Sequence, residues 1–193
     1  MVADGSLQWH WPVPMALHRF ERAAEVNPVL AQAFCAMRAT DAAARGAFYA
    51  SADDLLRRVD LPEFRALIEF IAASLQTTAQ QANAGMWPSG RHGLQLDFIG
   101  VWFQIQNGAL NGATRFYSPM FPLLGGAYMD RGNAWLQNAT FDLIPHEGEL
   151  VVFPSFLPHK VLPYAGDRDR IIVSFNAQIS APGGDRLFQF TGM

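Results

Sequence analysis

The sequence predicts an α+β protein, mainly β, with its helices first and its strands after. Up to about residue 85 apolar residues recur at three- and four-residue spacing; after Gly90 the pattern turns to period two, punctuated by Gly, Pro and Asn. The chain is 50% hydrophobic and only 16% charged, which gives it core enough without metal or disulfide staples. At 193 residues one domain is expected, mainly helical over 1–85 and β over 90–180. The strands are not separated by helical stretches, so a parallel βαβ fold is disfavoured. Helices packed on one side of an antiparallel sandwich or barrel fit best.

Taken in order, Asn27 and Pro28 offer an N-cap and a first-turn proline, and Val29, Leu30, Ala33, Phe34 and Met37 continue at helical spacing to about Arg45. Ser51 with Asp54 three residues on resembles a capping box ahead of Leu55, Leu56 and Val59. From Pro62 the positions Phe64, Leu67, Ile68, Phe70, Ile71 and Leu75 make an amphipathic helix that fades into the polar run QTTAQQANAG. The first strand, DFIGVWFQIQ, turns Ile99, Val101, Phe103 and Ile105 one way and Phe98, Gly100, Trp102, Gln104 and Gln106 the other. RIIVSFNAQI repeats the division, with Ile171, Val173, Phe175, Ala177 and Ile179 alternating with Arg170, Ile172, Ser174, Asn176 and Gln178. Their apolar side suits helices or a second sheet, and plain solvent is an equal reading for the mixed side. GELVVFPSF is apolar on both faces and reads as a central strand, and Gly183-Gly184 begin an exposed tail.

Composition narrows function. With 14 basic residues against 17 acidic ones, a net charge of -3 and no basic run, neither nucleic acid nor an anionic membrane surface is expected as a partner. No segment approaches the eighteen or so apolar residues of a membrane span, and no signal peptide opens the chain, so a cytoplasmic protein is expected. A homodimer is left open. The single cysteine, Cys35, excludes an intramolecular disulfide and reads as a buried thiol between Phe34 and Met37.

The densest candidate chemistry runs from Glu149 to Asn176. His159 stands at a strand end, and Arg170 opens the neighbouring strand on its mixed face, which points both toward one cavity. An imidazole for a borderline metal ion and a guanidinium fork for a distal carboxylate are what a metal-bound carboxylate ligand needs. An equally good reading makes His159 a strand cap and pairs Arg170 with Asp167 or Asp169. Trp102, Arg115, Tyr117 and Tyr128 are candidates to line a pocket, Arg115 as a holder of an anionic group. Ser155, His159 and Asp167 compose a hydrolase triad only on paper, since no G-x-S-x-G elbow is present. His10, His18 and His92 read as packing or surface residues.

This stretch resembles the iron(II)- and 2-oxoglutarate-dependent oxygenase family. The resemblance runs in register through Gly148, Leu150, Val151, Phe153, Pro154, Ser155, Leu157, His159, Val161, Pro163, Tyr164, Gly166, Arg170, Phe175 and Asn176. It extends more weakly to Trp102, to Gly125-Gly126-Ala127-Tyr128 and to residues 47–51. It implies a double-stranded β-helix, the cupin-like jelly roll, with N-terminal helices packed outside. It further implies Fe(II) and 2-oxoglutarate as cofactors, His159 as the distal metal ligand, and Arg170 on the far carboxylate, with Ser174 or Asn176 assisting.

The chain departs from the family where the His-x-His or His-x-Asp metal pair belongs. A gapless count back from Gly126 sets that pair on Tyr117 and Pro119, neither a usual iron ligand. Between His92 and His146 only Asp97, Arg115, Asp130, Arg131 and Asp142 are charged. Replacement ligands would have to come from His146, Asp97, Asp130, Asp142 or Glu147. Two functions follow: an oxygenase-like enzyme acting on a small molecule, with a non-standard metal site, or a metal-independent descendant that is a redox-neutral enzyme or small-ligand binding protein.

Overall fold

The computed structural model describes residues 5–10, 13–44, 46, 48–83, 95–106, 112–119, 138–164, 166 and 168–180. Three three-stranded antiparallel sheets and three helices make up the described fold. The first sheet joins β1 (Gly5–His10), β2 (Val13–Arg19) and β7 (Glu149–Val152). The second joins β3 (Phe48–Ala50), β4 (Gln95–Gln106) and β9 (Arg170–Ser180). The third has β5 (Thr114–Tyr117) between β6 (Thr140–Leu143) and β8 (His159–Val161). The helices are α1 (Ala23–Thr40), a short α2 (Leu55–Arg58) and α3 (Pro62–Ala82). An opening hairpin, β1 with β2, therefore precedes the helices, where helices alone were expected first. Val13, Met15, Ala16 and His18 are buried, an irregular pattern in which strand periodicity does not show.

The apolar face of β4 and β9 packs on helices, as its alternation required. Val101, Phe103 and Ile105 are at most 1% exposed and join Val26, Leu30, Phe34 and Phe64 in one core. Phe34 stacks on Phe103 at 4.5 Å and meets Phe64 edge-on at 6.4 Å. Burying each of these side chains contributes about 1.5–3 kcal/mol. The alternation breaks at one place. A bulge between Phe98 and Gly100 shifts the ladder, so that Phe98 pairs with Ala177 and meets Phe175 at 6.0 Å on the helix side. Ile99, read as apolar-facing, is instead 69% exposed.

Helix α1 starts upstream of the expected Asn27-Pro28 cap, leaving Pro28 inside it. The cause is tertiary. Val26 is fully buried, and Gly148, at φ +80, accepts the Phe20 amide and lies against Ala23 so closely that a Cβ there would come within 2.7 Å. The hydrogen bond that Pro28 cannot give is the one to the Ala24 carbonyl, and Ala24 is exposed. The Ser51 capping box does not form either. Its hydroxyl accepts the Phe103 amide and donates to Ala52, tying the segment to β4. Helix α3 begins at Pro62 as expected but continues through the polar run to Ala82, burying Ser74, Thr78 and Ala79.

His18 is 1% exposed and joins β2 to α3 through Thr78, its Nε2 lying 2.8 Å from the hydroxyl. Thr78 donates its one hydrogen to the Ser74 carbonyl, so Nε2 must be the donor and Nδ1 the bare nitrogen. Nδ1 is buried without a hydrogen-bond partner among the described residues. Burial holds the imidazole below its ordinary pKa. β7, expected to be central, pairs with β2 alone among the described residues. The expected tail at Gly183-Gly184 lies outside them.

Candidate functional site

Register fixes which candidate side chains share a face. Across β4 and β9, Arg170 pairs with Gln106, Ser174 with Trp102 and Asn176 with Gly100, all on the mixed side away from the helices. Arg170 is half-buried, and its Nη1 donates to Gln106 Oε1 at a long 3.4 Å. No carboxylate pairs with it among the described residues. Asp169, offered as its partner by sequence, turns to Arg38 at 3.1 Å, and Asp167 lies outside the described residues. Burial holds the guanidinium below its ordinary pKa. Gly112, just before β5, closes over it: at φ +67 a Cβ there would stand 3.0 Å from Arg170 Nη1 and 3.1 Å from the Tyr164 ring. Glycine takes that conformation without strain, and its lack of a Cβ is what lets the backbone lie this close to the guanidinium.

His159 lies beyond the other end of the same stretch. Its register partner on β5 is Phe116, whereas Gly112 bonds to Pro163 past the end of β8. The four residues from Gly112 to Phe116 span up to about 13 Å, and among the described residues no hydrogen bond joins the imidazole to the guanidinium. The Nδ1–H of His159 donates to the Leu157 carbonyl at 2.9 Å, the donor role following because a carbonyl only accepts. Nε2 then carries the lone pair. The ring stands 4.7 Å from Phe153 and 6.1 Å from the fully buried Phe116.

The opposite face of β5 holds Arg115 and Tyr117. Arg115 is engaged rather than free: Nε and Nη2 each donate to Asp142 at 2.7 Å, raising the pKa of the guanidinium and lowering that of the carboxylate. Tyr117 has the Lys160 ammonium 5.9 Å from its ring centroid. The structure therefore puts Tyr117 and Arg115 on the face away from Phe116, although the gapless count had set Tyr117, with Pro119, in the metal pair beside His159. Tyr128 lies outside the described residues. The missed signal was alternation itself: Phe116, not Tyr117, has the parity that faces His159.

The described side chains do not fit an iron triad. Among the described residues no group of three or more His, Cys, Asp or Glu side chains could hold a metal ion. His146 stays with Glu149 at 3.0 Å, Glu147 accepts from Asn27, Asp142 holds Arg115, and Asp97 is exposed beside Gln95. Asp130 and His92 lie outside the described residues. Arg170, by contrast, fits a carboxylate, being a half-buried cation without an acidic partner among the described residues.

This arrangement sits within a recognisable segment. Residues 89–176 match the model of the family described as putative 2OG-Fe(II) oxygenase. The match begins just before β4 and ends within β9, so it takes in both His159 and Arg170. The oxygenase description names Fe(II) and 2-oxoglutarate, of which the described residues suit only the carboxylate. No curated protein matches the chain. No helix among the described residues is long and apolar enough to cross a membrane.

Proposed function

We propose that the chain binds a small carboxylate of the 2-oxoglutarate class at Arg170, as a metal-independent descendant of the oxygenase fold that serves as a redox-neutral enzyme or a small-ligand binding protein. The observation that carries this reading is Arg170 itself, a half-buried guanidinium that lies beneath a glycine and, among the described residues, is held only by Gln106. A desolvated cation without an acid is costly unless a ligand completes it. Trp102 and Ser174 share its face and would border the ligand, with Asn176 at the exposed end. The double-stranded β-helix belongs to the same proposal. Pairing of β4 with β9 and of β5 with β8 brings early strands against late ones, as closing a jelly roll requires.

The family match favours a second reading, an oxidoreductase with a non-standard metal site at His159. Calorimetric titration with 2-oxoglutarate and with succinate tests the first, the expected result being binding that Arg170→Met abolishes. Iron-dependent formation of succinate from 2-oxoglutarate would overturn it in favour of the second.

A further inference from the structure

We infer that Phe116 and Ser118, not Tyr117 and Pro119, stand where a metal pair would face His159, and that two side-chain replacements there are enough to build a metal site. The inference rests on the reading that this chain holds no metal at His159, and it does not depend on carboxylate binding at Arg170. Cross-strand partners project to one face, so Phe116 and His159 share a side of the sheet. Pairing continues beyond β5, with the Tyr117 amide on Pro158 and the Ser118 amide on Ala139, both at 2.9 Å. Alternation then returns Ser118 to the Phe116 side, where it is 5% exposed. Tyr117 lies on the far side with Arg115 and Lys160. The count from Gly126 is thus one residue out.

His159 remains a competent ligand. Its Nδ1–H is fixed on the Leu157 carbonyl, which leaves Nε2 as the basic nitrogen, the tautomer in which second-layer hydrogen bonds hold a metal-binding imidazole. What faces it is a phenyl ring and a hydroxymethyl group. The Phe116 ring lies 5.0 Å from Phe153, and that ring is 4.7 Å from His159, so aromatic packing occupies the place of an ion. A facial triad asks for a second imidazole and a carboxylate on that side, and positions 116 and 118 supply the spacing.

The test is titration of the full chain with Co(II), followed by visible absorption. F116H/S118D is expected to bind Co(II) roughly ten-fold or more tightly than wild type, and to lose the gain when His159→Ala is added. Y117H/P119D should behave as wild type. Phe116 is fully buried, so a gentler arm keeps it: S118H should raise the melting temperature with Co(II) in a His159-dependent way, and P119H should not. A gain from the 117/119 pair, no gain in either arm, or His159-dependent Co(II) binding by wild type would overturn the inference. Carboxylate titration of the wild type against Arg170→Met fails or succeeds separately, so the two readings are told apart.

Discussion

Arg170→Met keeps an unbranched apolar stem and deletes the guanidinium, which separates a binding role from a structural one. What the fold loses is one hydrogen bond to Gln106 at 3.4 Å, near the limit of such contacts and worth no more than about 1 kcal/mol. What it gains is relief from holding a half-buried cation without an acid, a term of similar or larger size. Stability of the ligand-free protein should therefore hold or rise by about 1 kcal/mol. Carboxylate binding should fall by about 2–5 kcal/mol, roughly 30- to 5000-fold, because the ligand's charge loses the guanidinium that pairs with it. Urea unfolding reads the first quantity and calorimetric titration the second. A variant that loses 2 kcal/mol or more of stability and binds carboxylate as before would refute the reasoning and make Arg170 a structural residue.

Burial lowers the His18 pKa, so the unfolded chain binds more protons than the folded one as pH falls through about 6.5. Stability is then fully present above that pH and is lost below it, by at most about 1.4 kcal/mol per pH unit; His18→Gln should flatten this slope in urea melts between pH 5 and 8, and an unchanged slope would exclude His18 as its source. The bulge in β4 predicts opposite fates for neighbours: Ile99→Lys should cost less than about 0.5 kcal/mol, whereas Phe98→Ala should cost about 3 kcal/mol by thermal unfolding. Reversal of that order would place the bulge elsewhere. Arg115→Ala should cost about 1 kcal/mol or less, its pair with Asp142 being 36% exposed on each side, and should leave carboxylate affinity unchanged; a drop in affinity would return Arg115 to the binding site.

Much of the second sheet was legible because one of its faces is buried by helices, and burial writes period two into sequence. Val101, Phe103 and Ile105 against Val173 and Phe175 needed nothing else. The bulge was not legible, since Ile99 and Phe98 are both apolar and only the paired strand decides which turns inward. Helix ends were displaced wherever a distant contact outweighed a local signal, as Gly148 against Ala23 outweighed the Asn27-Pro28 cap. The opening hairpin left no periodic trace, because β2 buries His18 and Ala16 along with Val13 and Met15. At the candidate site, the residue types at His159 and Arg170 were visible at once. Which face Tyr117 takes was not, because parity counted from a distant glycine is reversed by any one-residue shift between the two positions.

The pairing of β4 with β9 also dictates an order of events during synthesis. Helices α1 and α3 are both made before β4, and Phe34 and Phe64 can cover its apolar face early. Its hydrogen-bonding edge must wait until residues 170–180 have left the ribosome. Contacts so remote in sequence form late, and an unpaired apolar strand invites another copy to pair instead. A chain terminated before Arg170 would keep its helices and its aromatic stack yet present the whole length of β4 as an open template, so aggregation rather than simple loss of ligand binding is the expected phenotype of late truncation.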